Sequence, residues 1–465
     1  MALAAEEQYL LELVNRGRLD PLGEAQRYGV DLNEGLPDGT ISTQALQALA
    51  PSDTLTRSAT DHSTWMLATN TFSHGGALGS NPGERMAAAG YEFVGRWSWR
   101  ENLAWYGTSG TLDKQAAIAH HHKGLYESAG HRANTFTTNI REVGIAQVEG
   151  RFTLSGTTYN SSMTTLNFAV SGTDVFVTGV AYRDTDGDAF YGIGEGRAGV
   201  SFTAGGQTGV TAEAGGYGVA VTATAGLLVQ IDDADQTLGT VQVDASGGNV
   251  KLDLVTDTNG QHTVFSAGHT TLVDGLTSAA LLGSADLRLT GNAADNMLAG
   301  NRGSNMIDGA AGDDHIAGSA GSDNLIGGAG DDTLLGGNGR PSAFGTAAAN
   351  ADTLHGGAGH DRLNGQSGAD ILDGGAGDDL LNGGGGRDTF IFNSGADTIE
   401  DFTDHVDLIH LDRDALGQTD SDLQDLFAMA TIDNGDAVFD FGNGNVLTIN
   451  DVADLSSLTD DIVFI

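Results

Sequence analysis

The most regular hydrophobic signal in the chain is one apolar residue in every nine. Between Gly291 and Phe392, residues Ile316, Leu325, Leu334, Leu363, Leu372, Leu381 and Phe390 each stand two places after an aspartate. The clearest units are Gly327-Gly328-Ala329-Gly330-Asp331-Asp332-Thr333-Leu334-Leu335, Gly356-Gly357-Ala358-Gly359-His360-Asp361-Arg362-Leu363-Asn364 and Gly374-Gly375-Ala376-Gly377-Asp378-Asp379-Leu380-Leu381-Asn382. Glycines at places one, two and four predict a tight turn whose backbone angles a Cβ would forbid. The apolar eighth place predicts a short strand with one inward side chain, so that stacked coils share a thin hydrophobic seam. Residues Glu6 to about Gly172 carry a helical period instead. Leu10, Leu13 and Val14 fall on one helix face, and Leu55, Ala59, His62 and Met66 on another, after the capping residues Ser52 and Asp53. Strands follow at Glu142–Val148, Arg151–Leu154 and Thr165–Val170, broken by glycine or polar turns, which predicts an α+β arrangement. From Thr173 to about Val255, valine, threonine and alanine alternate through Val175–Val180, Gly199–Phe202 and Gly218–Val221, as in a small β-sandwich. Weak alternation around Thr271–Val273 and Ala280–Leu282 reads as β-coils leading into the nine-residue array.

Charge changes the meaning of that array. Its 102 residues hold 14 Asp and 4 Arg with no Glu or Lys, within a chain of formal charge -41. The coils would repel one another at close spacing unless a cation joins them. Position six supplies the carboxylates Asp314, Asp323, Asp332, Asp352, Asp361, Asp370, Asp379 and Asp388, and turn carbonyls supply further hard oxygens of the kind calcium prefers. Binding and folding are then expected to be one equilibrium. Asn296 and Asn305 replace the aspartate in the first units, which are expected to bind calcium weakly or to cap the array. Arg340 to Ala351 breaks the phase and reads as a loop bulging from one turn. The acidity makes nucleic acid or an anionic membrane a poor partner.

With 70 Gly, 5 Pro and no Cys, the chain has neither disulfides nor thiolate metal sites. No run of eighteen apolar residues predicts a membrane span, and the first residues lack the basic region of a cleaved leader. The repeat resembles the RTX calcium-binding nonapeptide, and Asp460-Asp461-Ile462-Val463-Phe464-Ile465 resembles a type I secretion signal. Residues Asp388–Phe392, Asp397–Phe402 and Asp407–Ile409 onward resemble the carboxy-terminal domain of serralysin-type proteins, which implies export by a type I secretion exporter. Serralysin protease activity is excluded, because no His-Glu-x-x-His occurs.

In the amino-terminal part, Leu13–Arg18, Ala59–Met66, Phe72-Ser73-His74, Glu101–Ala104, Ser128–Arg132 and Glu142–Gly144 occur in that order. Together they resemble the CAP superfamily, or SCP domain, over about the first 170 residues. The resemblance implies an αβα sandwich whose cleft gathers His74, Glu101 and His131. Two imidazoles and a carboxylate can bind a divalent metal such as zinc, act as base and acid, or only hydrogen-bond one another to hold the sandwich. Leu125 stands where the family has Trp, and Glu127 is the candidate for a second cleft glutamate. His62 reads as a core residue; His120, His121 and His122 are consecutive on a helix and point in different directions.

In the central segment, Asp184, Asp186, Asp188 and Glu195 occupy places one, three, five and twelve, the spacing of EF-hand ligands. Gly187 is at the fourth place and Ala189 at the sixth, where an EF-hand has glycine. The loop resembles the calcium loop of SD-repeat B-type adhesin domains, and calcium is favoured over a solvated acidic turn. The sequence thus predicts a multidomain protein: an α+β (αβα sandwich) domain at 1–172, a small β-sandwich at 173–255, a linker at 256–290, a parallel β-roll at 291–392 and a β-rich carboxy-terminal domain at 393–465. Its expected role is extracellular recognition by the CAP cleft, with a metal-dependent hydrolase or a surface adhesin as alternatives. The ligand is unspecified.

Overall fold

The computed structural model describes residues 2–234, 236–337, 351–417 and 423–465. They form two compact units, divided after Gly268. The first begins with helices α1 (Ala5–Leu19) and α2 (Pro21–Tyr28). Strand β1 (Ala50–Pro51), α3 (Asp53–Thr69), α4 (Pro82–Ala88), β2 (Ser98–Thr108), α5 (Lys114–Glu127), α6 (Ala129–Thr135), β3 (Glu142–Leu154) and β4 (Thr157–Val170) follow. The sheet order is β1-β3-β4-β2. Because strand side chains alternate, each face of this sheet acquires its own helices. Val143 and Ile145 of β3, with Leu166 and Phe168 of β4, pack against Leu10, Leu13 and Val14 of α1 and Ile118 and Leu125 of α5. On the other face Leu55 of α3 and Met86 of α4 pack on Ala169. Gly144 lets α3 approach closely, since a Cβ there would overlap the backbone at Leu55 and Thr56.

Two expected strands, Glu142–Val148 and Arg151–Leu154, are one. Gly150 does not turn the chain; it stays in register opposite Ser161, and Leu67 of α3 packs where its Cβ would be. Ser52 precedes α3 without a side-chain cap bond to it. Its hydroxyl lies 3.3 Å from that of Thr54.

The same unit continues through β5 (Val175–Arg183), β6 (Val200–Ala204), β7 (Gln207–Val210), β8 (Gly216–Val221), β9 (Leu227–Asp233), β10 (Gln236–Val243), β11 (Val250–Thr256) and β12 (His262–Ser266). Strands β12, β11, β5 and β8 are successive neighbours in one sheet, and β10, β9, β6 and β7 in another. Phe202 of β6 stacks on Tyr217 of β8 with ring centroids 3.8 Å apart, joining the two sheets.

The second unit is a parallel coil. Strand Met306–Ala311 pairs in parallel with Asn324–Ala329, and His315–Ala317 with Thr333–Leu335, each eighteen residues on. Two nonapeptides therefore make one full turn, with one strand in each of two sheets. The apolar eighth places, from Ile307 and Ile316 to Leu381 and Phe390, are buried between them. Coil pairing begins before the glycine-rich units, at Thr270–Asp274 and Ser278–Leu281, and runs on to Ile462–Phe464 beside Leu408–Leu411. Most of the expected bulge at Arg340 to Ala351 lies outside the described residues. Strands on either side of it pair directly, Asn324 with Thr353, so the stack resumes in register. The coarse reading, an α/β region followed by a large strand-rich part with parallel strands, is borne out.

Candidate functional sites

Glu101 is the centre of the amino-terminal cleft. It lies on β2 opposite Asn167 of β4 and is 4% exposed. One carboxylate oxygen, Oε1, is 2.8 Å from His74 Nδ1, and the other, Oε2, accepts from Arg85 Nη2 at 2.5 Å. Arg85 also donates to the His74 carbonyl and to that of Ser80, so it fixes the loop that carries His74. A capping box in which Asn81 and Glu84 satisfy each other's backbone N–H starts the short helix α4 that aims Arg85. His131 sits at the start of α6. Its carbonyl accepts from Asn102 Nδ2, while burial and the neighbouring His74 hold its imidazole below the ordinary histidine pKa. His62 lies beneath the cleft, its Nε2 2.9 Å from the Ser73 carbonyl and its ring stacked on Trp65, and burial lowers its pKa as well.

The structure therefore joins His74 to Glu101 directly and brings His131 within electrostatic range of His74. Glu127 is elsewhere: its side chain is at the surface, 3.7 Å from Lys123. His120, His121 and His122 diverge, to a contact with the Tyr106 ring, a hydrogen bond with Ser162 and a hydrogen bond with Glu24. Sequence reasoning missed Arg85, although its place one residue after the Asn81/Glu84 box was a visible signal. Compact groups of three or more potential metal ligands among the described residues occur at Asp184, Asp186 and Asp188, and at Asp404, His405, Asp460 and Asp461. The cleft trio is not such a group. A zinc ion on Glu101 would have to compete with the Arg85 guanidinium, so the donor set does not fit zinc.

In the central loop, Asp184, Asp186 and Asp188 converge while Glu195 does not join them. Glu195 Oε1 accepts from the Thr185 N–H and hydroxyl, and Oε2 from the Gly192 N–H. Ala189 adopts φ 58°, the left-handed turn for which an EF-hand uses glycine, and donates its N–H to Asp184. The loop thus makes a left-handed turn at a residue other than glycine, at a strain of about 1 kcal/mol or more.

The coil carries two ladders of aspartates. Along one, Asp314 N–H donates to Asp332 Oδ1, Asp332 to Asp361, Asp361 to Asp379 and Asp379 to Asp397, at 2.7–3.1 Å. Along the other the order is Asp323, Asp352, Asp370, Asp388 and Asp407. Each bond uses only Oδ1. The second oxygens of Asp314, Asp323, Asp332, Asp352, Asp361, Asp370, Asp379 and Asp397 are buried with no hydrogen-bond partner. Leaving a buried carboxylate oxygen unmatched costs about 1–3 kcal/mol or more, comparable to the roughly 1.5–3 kcal/mol gained by burying one leucine. The seam alone does not hold the ladders. Burial accordingly raises Asp314, Asp323, Asp361 and Asp370 to about 7, and Asp397 to about 8.

Position-one glycines have a reason other than backbone angle. Gly327 is not in the left-handed region, whereas Gly328 and Gly330 have φ 116° and 136°. A Cβ on Gly327 would fill the space shared by Asp332 Oδ2 and the Gly356 carbonyl. That cradle of carboxylate and carbonyl oxygens, recurring at Gly309, Gly318, Gly336 and Gly356, fits a hard cation such as calcium. Asp397 was missed by the sequence reading although it stands nine residues after Asp388. Asp388 is buried but is not among the aspartates with an orphaned oxygen. At the amino-terminal end Asn296 and Asn305 use their amides as donors, to Asn292 and Asn301 side chains at 3.2 and 3.1 Å, so no charge is stranded there.

No helix among the described residues is long and apolar enough to cross a membrane. Comparison with known proteins gives two family matches, the cysteine-rich secretory protein family (CAP) at residues 11–160 and the RTX calcium-binding nonapeptide repeat in four copies between residues 290 and 399. No curated protein matches the chain. Among solved structures, it is similar to an extracellular protein containing a SCP domain from Bacillus anthracis str. Ames, at 22% identity and TM-score 0.20, covering 27% of this chain and 35% of that one. Extracellular lipase LipA from Serratia marcescens matches at 17% identity and TM-score 0.19, covering 41% of this chain and 45% of the other. The chain spans less than half the length of either. The chain carries a CAP domain at residues 11–160 and RTX calcium-binding nonapeptide repeats between residues 290 and 399.

Proposed function

We propose that this is an exported protein in which calcium completes the folding of a β-roll while the CAP cleft binds a ligand outside the cell. In this reading 1–172 is the CAP domain, 173–255 a β-sandwich with a calcium loop, 256–290 a linker, 291–392 the roll and 393–465 a serralysin-like domain that engages a type I exporter. The row of unpartnered aspartate oxygens supports calcium-dependent folding. The observation that carries the cleft's role is the saturation of Glu101, whose two oxygens are held by His74 and Arg85. A carboxylate so committed orients His74 and closes a hydrogen-bonded wall; it is poorly placed to act as a free base or metal ligand.

A hydrolase is the second reading, favoured by the 2.8 Å His74–Glu101 pair, which has the form of a base and its orienting acid. Peptide and ester panels with and without zinc separate the two. No turnover that depends on His74 and His131 is the expected result. Turnover abolished in a His74→Ala, His131→Ala double variant overturns the binding role. For export, removing Asp460 to Ile465 is expected to retain the protein inside cells that carry a type I exporter, and undiminished secretion of the shortened chain contradicts the tail's part in it.

A further inference from the structure

The amino-terminal unit contains a cavity of about 570 Å³ between α5, β2 and the end of the β3–β4 hairpin. Its walls include Leu103, Trp105, Leu125, Phe152 and Leu154, and His131 stands in its lining, shared with the cleft around Glu101. None of its lining residues is Asp, Glu, Lys or Arg, in a chain that holds 62 acids and 21 Lys and Arg. That absence decides the class of occupant. A charged molecule entering this space would lose its hydration without a counter-charge, which is strongly unfavourable. The volume lies in the ~300–1,000 Å³ range of small-molecule sites, too small for a folded partner.

The polar groups around it are mostly committed. Asn70 exchanges both amide atoms with the Thr153 backbone, and His121 is bonded to Ser162. His131 is different: its half-buried ring makes no hydrogen bond among the described residues, and burial disfavours its charged form. A neutral imidazole both donates and accepts one hydrogen bond. We propose that this cavity binds an uncharged, largely apolar small molecule whose single polar end, a hydroxyl or carbonyl, meets His131. The inference deepens the recognition role argued above and rests on it.

Gly124 of α5 offers a direct test. It lines the cavity, its φ is outside the left-handed region, and no atom lies within 4 Å of a Cβ placed there. A Gly124→Trp side chain can therefore enter the space without moving the backbone. The calcium-loaded full chain is titrated with Nile red, a neutral fluorophore that brightens in apolar surroundings, and then with hexadecanol or hexadecanoate as competitor. Saturable brightening displaced by the alcohol and not by the carboxylate is expected, with at least about tenfold weaker binding in Gly124→Trp at unchanged circular dichroism. Leu154→Glu, half-exposed at the rim, is expected to weaken binding as well, and serves if the tryptophan variant does not fold. No saturable signal, equal binding by the variants, or equal displacement by hexadecanoate overturns the proposal. The recognition reading fails separately, through turnover that depends on His74, whatever Nile red does.

Discussion

At the scale of single residues, the coil turns on one atom. In Asp332, Oδ1 accepts the Asp314 N–H, and Oδ2 is buried beside a carbonyl with nothing to receive. The Asp332→Asn variant keeps the first bond and turns the second position into a donor, as Asn296 and Asn305 already do at the amino-terminal end. In chelator the variant is expected to be more stable than the parent, by about 1–3 kcal/mol, and to bind calcium less tightly. Thermal melts with and without calcium check both signs; equal apo stability would show that the orphaned oxygen is not what makes the coil need metal. Such residues were legible because they recur: a nine-residue period announces position six whatever surrounds it. Arg85 was not legible in that way. It acts once, through a short helix whose place over Glu101 comes from tertiary packing, and no repeat marks it.

Elements show the same division between local and distant causes. Helix α3 was readable from Leu55, Ala59, His62 and Met66 because amphipathic spacing is a property of the helix itself. The single long β3 was not, since glycine ordinarily ends a strand and only Leu67 packing over Gly150 shows why it continues. Gly144 marks the tightest junction between these elements. A Gly144→Ala change forces α3 off β3, and a cost of about 1–3 kcal/mol or more is expected, with a lower melting temperature of the amino-terminal unit. Leu334→Ala in the coil opens a cavity of comparable cost, roughly 2–5 kcal/mol, in the other unit. Two calorimetric transitions, each shifted by only one of the substitutions, are the expected outcome; a shift of both by either change argues against separate units. In the central loop, Asp184, Asp186 and Asp188 lie together, and Glu195 is diverted because the Thr185 and Gly192 N–H groups claim it. Spacing alone does not reveal such competition.

Across the whole molecule, the aspartates of the coil and the buried histidines of the amino-terminal unit carry opposite proton linkage. In the coil, burial raises the aspartates from an ordinary 3.8 to about 6 for Asp332 and Asp352 and about 7 for Asp314, Asp323, Asp361 and Asp370. Folded coil then holds more protons than unfolded chain between about pH 4 and 7, so without metal its stability grows as pH falls through that window and is lost as pH rises through it. The buried histidines of the amino-terminal unit act the other way, while burial raises Asp253, Glu7 and Glu142 of that unit as it does the coil aspartates. Burial lowers His121 to about 3 and also depresses His62 and His131, so folding favours their neutral form. The histidines' contribution to stability is kept above their ordinary value of 6.5 and falls as pH drops below it. Melting the full chain in chelator at pH 5 and pH 8 is therefore expected to place the coil transition higher at pH 5, with the histidine and carboxyl contributions of the amino-terminal unit opposing each other. Calcium should remove the coil's half of this contrast, because the ion takes the place of the protons, and its binding at pH 7 should release protons into weakly buffered solution. A coil transition that rises with pH in chelator, or calcium binding without proton release, would mean that the buried aspartates are already ionised and matched without metal.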